Sequence, residues 1–133
     1  MIRLTLLALL GVLVIAQPAA AVTVNAKPSG APPAGAPCAD NGSGAKACFQ
    51  RKGDKFYIRD DAKDGRSAVA VWSHYLGDGQ YKKGNCRNAL GKGRWGVCNY
   101  NMTENSYIEW WAAEYDASNG QWYEWSHDQS DIS

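Results

Sequence analysis

After Cys38 the chain contains no proline, and after Arg94 it contains no lysine or arginine. All five prolines lie before Cys38, so the first absence marks a compositional boundary between a Pro/Ala/Gly-rich N-terminal part and everything that follows. The second leaves the charge lopsided: about +6 from Cys38 to Arg94, and about −7 from Trp95 to the end. A domain with an acidic C-terminal part is not a uniform polyanion binder, so nucleic acid is not expected as a partner. There is no C-x-x-C, and His74 and His127 have no ligand-like spacing to the cysteines, so no metal is expected. No nucleophile elbow, phosphate-binding glycine loop or metalloprotease helix motif occurs either, which argues against an enzyme and against a bound cofactor.

The chain opens "MIRLTLLALLGVLVIAQPAAA". Arg3, the apolar run Leu4–Ala16 and the Ala19-x-Ala21 arrangement read as a signal peptide, 1–21, cleaved after Ala21. The run falls short of the roughly 20 residues of a membrane span, so a secreted chain without membrane insertion is expected. The next segment, "VTVNAKPSGAPPAGAP" (22–37), has little to bury and reads as a flexible tail. Residues 38–133 form the expected domain, a monomer small enough to need covalent help.

Cys38, Cys48, Cys86 and Cys98 supply that help. In an exported chain they form two disulfides, and the glycine-rich brackets "CADNGSGAKAC" and "CRNALGKGRWGVC" favour Cys38–Cys48 and Cys86–Cys98. The second pair is symmetric about Lys92 in the turn "GKG", as though facing across two strands of a hairpin.

Short aromatic and β-branched runs alternate with turn signals: "KFYIRD", "SAVAVWSHYL", "RWGVCNY", "SYIEWWAAEYD", "QWYEWSH". This spacing predicts an all-β fold, a small disulfide-stapled antiparallel β-sandwich or barrel. In "YIEWWAAEY", one alternating set is Ile108, Trp110 and Ala112; the other contains Glu109, Trp111, Ala113 and Tyr115. Burying an unpaired carboxylate is costly, so Glu109 turns its set outward and Trp111 with it, while Trp110 goes to the core. A two- or four-residue turn at "DASNGQW" puts Trp122 and Glu124 on the Trp111 face; a three-residue turn puts Tyr123 and Trp125 there.

The expected site is therefore an outer aromatic and acidic strip of Trp111, Tyr115, Glu109, Trp122 and Glu124. Flat rings beside acids suit sugars, whose C–H faces stack on rings while carboxylates and amides take hydroxyls; they also suit cations or a protein partner. The alternative site is the basic loop 86–98, where Arg87, Lys92 and Arg94 sit in a disulfide-bounded, glycine-rich segment that could enter a serine protease cleft. "RDDAKDGRS" departs from a calcium loop at Ala62 and Val71, and reads as a β-turn. Glu109, Glu114 and Glu124 could in principle supply a glycosidase pair, but so small a domain rarely provides the cleft. The sequons at Asn41 and Asn101 matter only along a eukaryotic secretory route.

The pattern "CFQRKGDKFYIRDDAKDGRSAVAVW…CRNALGKGRWGVCNYNMTE…YDASNGQW" resembles small secreted β-proteins of actinomycete bacteria over most of 48–125. The motifs are turn and strand features, so the resemblance implies an origin and transfers no catalytic or binding residue. The expectation is a secreted, non-catalytic binding protein for a carbohydrate or surface polymer, with an extracellular protease inhibitor as the alternative.

Overall fold

The computed structural model describes residues 21–133; apart from Ala21, the expected signal peptide lies outside the described residues. The described strands form two sheets, numbered here in chain order. The larger sheet runs, in spatial order, β1 (Val22–Asn25), β7 (Gln80–Asn88), β6 (Ser67–Gly77) and β9 (Tyr107–Asp116), with β10 (Gln121–Tyr123) and β11 (Gln129–Ile132) both pairing along the far side of β9. The smaller sheet runs β2 (Lys27–Ser29), β8 (Arg94–Asn99), β5 (Lys55–Asp60), β4 (Ala45–Gln50), β3 (Cys38–Asp40). Every pairing is antiparallel except β1 with β7. The fold is all-β, with the two sheets packed face to face.

Alternation builds the core. Phe49, Phe56 and Ile58 project from the smaller sheet, Trp72, Ile108 and Trp110 from the larger, and all are buried. Phe56 stacks on Trp72 with ring centroids 6.2 Å apart and meets Trp110 edge-on at 5.7 Å. The Trp110 indole nitrogen donates to the Ala47 carbonyl at 3.0 Å, so its one polar atom is satisfied across the sheets. Trp72 fits only because its neighbour across β6 and β7 is Gly84; a Cβ there would fall inside the indole ring.

Both expected disulfides form, in different settings. Cys38–Cys48 joins register partners on β3 and β4 within one sheet. Cys86–Cys98 does not close a hairpin: Cys86 lies on β7 and Cys98 on β8, in opposite sheets, and the buried bond ties the sandwich together through its core. The cause is Asn88, which ends β7 fully buried. Its amide donates to the Ile58 and Arg94 carbonyls at 2.8 and 2.7 Å, and its carbonyl accepts from Leu90 N at 2.9 Å. With its polar atoms used in this way, Asn88 turns the chain from one sheet to the other.

In the first part of the segment expected to be a flexible tail, Val22–Asn25 and Lys27–Ser29 are strands. Val22–Asn25 pair in parallel with Gly84–Arg87, and Lys27–Ser29 pair with Trp95–Val97. Buried Ala26 lies between, donating to the Arg87 carbonyl at 2.8 Å. One short segment thus covers the exposed edges of β7 and β8 together. Edge pairing needs backbone groups rather than apolar side chains, and Pro28 is tolerated on an edge strand.

Candidate functional site

The outward set of β9 carries Glu109, Trp111, Ala113 and Tyr115 against the short side chains of β6: Ser73, Val71, Val69 and Ser67. Beyond β6, Lys83, Asn85 and Arg87 of β7 stand opposite Ser73, Val71 and Val69. A middle strand of Ser and Val between strands of large residues makes a floor between two walls. The result is an open groove of about 520 Å³ along the outer face of the larger sheet. Val71 and Ser73 lie at its base, Trp111, Tyr107 and Trp125 on one side, Tyr81 and Lys83 on the other. The volume lies in the range of small-molecule sites.

Trp111 is half-buried in this groove, whereas Trp110 behind it is fully buried, as alternation requires. Glu109 accepts a hydrogen bond from the Tyr107 hydroxyl at 2.9 Å, and the carboxylate holds that phenol above its usual pKa. Trp125, half exposed at 50 %, faces solvent at the groove's rim.

The β9–β10 turn is four residues, 117–120, with Gln121 opposite Asp116 and the Gly120 amide donating to the Asp116 carbonyl at 2.8 Å. The Asp116 carboxylate accepts from the Ser118 amide and hydroxyl, which fixes the turn and lowers its pKa. This register sets Trp122 opposite Tyr115, with ring centroids 4.8 Å apart, so both join the outer face.

Glu124 does not join it. Tyr123 pairs with Glu114 but Gln129 pairs with Trp110, so the last strand carries two extra residues between these points. Glu124 takes the left-handed conformation at φ 52°, its carbonyl accepts from Asn41 Nδ2 at 2.9 Å, and its carboxylate accepts from the Ser43 hydroxyl at 3.3 Å. The Ser126 amide and hydroxyl bind the backbone of Ala112 to restart pairing. This bulge turns Glu124 toward the β3–β4 turn and brings Trp125 to within 5.5 Å of Trp122, on the side where simple alternation does not place it. Sequence alternation brings Trp125 to this face only with a three-residue turn, whereas here it arrives through the bulge, and Tyr81, Lys83 and Ser73 were not among the expected site residues. Alternation through "SAVAVWSHYL" could have located Ser73; no local signal marks the bulge.

The basic loop does not present three converging cations. Arg87 lies on the outer face of β7, donating to the Ser67 hydroxyl at 3.0 Å with its guanidinium 5.7 Å from the Tyr115 ring. Lys92 sits at the exposed tip, and Arg94 begins β8 in the other sheet, opposite Asp60. Glu109, Glu114 and Glu124 likewise diverge: Glu109 faces the groove, Glu114 the opposite side of β9, and Glu124 the β3–β4 turn. In "RDDAKDGRS", Asp60 and Asp64 accept from the amides of Ala62 and Arg66, and Asp61 pairs with Arg59 at 2.6 Å, which is turn geometry. Among the described residues no group of three His, Cys, Asp or Glu side chains is placed to hold a metal ion. His74 is buried and satisfied: the Ser133 hydroxyl donates to the Thr103 carbonyl at 2.6 Å, which leaves its oxygen to accept from His74 Nε2 at 3.2 Å. Comparison with family models, with curated proteins and with solved structures finds no match to this chain.

Proposed function

We propose that this chain is a secreted, non-catalytic binding protein that recognises a polysaccharide or surface polymer in the outer groove centred on Trp111. The observation that carries this reading is an open groove whose aromatic walls, Trp111, Tyr107, Tyr81 and Trp125, stand around the polar groups Glu109, Ser73 and Lys83. Rings offer flat apolar faces to the C–H surface of a sugar, and the polar groups between them take its hydroxyls. The two disulfides fit an oxidising environment, in keeping with export.

The test is a pull-down of the folded protein on a panel of insoluble polysaccharides and cell-wall preparations, with Trp111→Ala beside the wild type. The side chain is only half-buried, so the variant keeps its fold; it is expected to lose retention by about tenfold or more, within the range of aromatic hot spots. Equal retention of both proteins, or none by the wild type, would overturn the reading.

A further inference from the structure

The same sheet face holds a second recess, about 380 Å³, further along the strands. Tyr115 and Trp122 form its aromatic side and Arg87 and Asn85 its polar side, with Val69, Thr23 and Gly120 also lining it. Arg87 is half-buried, and among the described residues it has no carboxylate partner; its only side-chain bond is to the neutral Ser67 hydroxyl. Holding a guanidinium partly out of water without a counter-ion costs free energy, so the recess has an unmet demand for an anion. Asn85, 8 % exposed, has a side-chain oxygen without a hydrogen-bond donor, an acceptor that calls for a hydroxyl beside the anion. The first groove differs, because Glu109 there offsets Lys83.

We infer that the recess formed by Arg87, Asn85, Tyr115 and Trp122 is a second subsite for a carboxylate-bearing sugar, so that the polymer bound is an acidic glycan. This rests on the reading of the first groove as a glycan site. The two recesses are in line: Trp111 and Tyr115 are four residues apart on β9, and Lys83 and Arg87 four apart on β7. At the strand rise that is roughly 13 Å, on the order of two to three sugar rings, so one extended chain reaches both. A uronate ring stacks against Tyr115 and Trp122 while its carboxylate accepts charge-assisted hydrogen bonds from Arg87.

The experiment is calorimetric titration of the folded chain with oligogalacturonate, its methyl ester, a neutral galacto-oligosaccharide and poly-glutamate. The wild type is expected to favour oligogalacturonate over the ester by about tenfold, with the preference shrinking as salt rises. Arg87→Gln is expected to equalise acid and ester while leaving the neutral oligosaccharide bound; that retained binding, with an unchanged melting curve, shows that the fold survives. Arg87→Lys keeps part of the preference. A wild type that binds neutral glycan through Trp111 without preferring the acid overturns this inference alone, as does a preference that survives Arg87→Gln. Poly-glutamate binding as tightly as oligogalacturonate overturns the sugar assignment, and no glycan binding at all overturns both readings.

Discussion

Arg66 lies between Glu114 and Tyr123: its guanidinium stacks 3.7 Å from the centre of the Tyr123 ring and reaches the Glu114 carboxylate at 3.7 Å. Glu114 and Tyr123 are register partners on β9 and β10, so the three side chains lock the start of the last hairpin. The arrangement is incomplete, since one Glu114 oxygen is buried without a partner.

That incompleteness sets a pH dependence. Burial, then the nearby Asp64 carboxylate, raise the Glu114 pKa from 4.5 to about 7, against the opposing pull of Arg66. Between these values the folded chain keeps a proton that the unfolded chain has released, so this group's contribution to stability falls as pH rises from 4.5 to 7 and then levels off. The full swing is on the order of 3 kcal/mol. His74 tilts the other way: burial lowers its pKa below 6.5, so its contribution falls as pH drops through that value. Denaturant unfolding measured across pH is expected to show Glu114→Gln gaining on the wild type above pH 7, with a smaller difference at pH 4.5; parallel curves for the two proteins would refute it.

Gly84→Ala tests the contact between β7 and the Trp72 indole. The added methyl occupies the ring's position, and Trp72 leaves its stack on Phe56 and its edge contact with Tyr100 at 4.9 Å. A loss of about 1–3 kcal/mol is expected, the usual cost of overpacking, read as a lower denaturation midpoint. An unchanged midpoint would show that the ring has another place to go.

The two disulfides close loops of similar length, with sequence separations of 10 and 12, so chain entropy alone assigns each about 3 kcal/mol. Their surroundings differ: Cys86 and Cys98 both belong to the core cluster and bridge the sheets, while Cys38 is half-buried at an edge strand and its buried partner Cys48 lies outside that cluster. Replacing Cys86 and Cys98 with Ala adds a core cavity to the entropic loss, so that double variant is expected to be less stable than the Cys38/Cys48 one. Equal thermal melts for the two would count against a core role for the inter-sheet bond.

What could be read from the sequence was whatever side-chain pattern records. Glu109 in mid-strand was enough to separate Trp110 from Trp111, and glycine-rich spacing was enough to pair the cysteines. Strand partners chosen by backbone leave no such mark. Val22–Ser29 have almost nothing to bury, yet they pair along both sheets. Asn88 sends β8 to the opposite sheet, although the spacing of Cys86 and Cys98 suits a hairpin. The bulge at Glu124 inverts faces from that point on, so a correct four-residue turn places Trp122 properly and Glu124 wrongly.

The edge pairing of β1 also fixes where the chain enters the fold. Ala21, just ahead of Val22, stands in the wall of the Trp111 groove. Whatever is covalently attached on that side shares a doorway with the ligand. A purification tag fused directly ahead of Val22 would therefore start at the groove's margin, and it is expected to weaken retention of the ligand proposed for that groove.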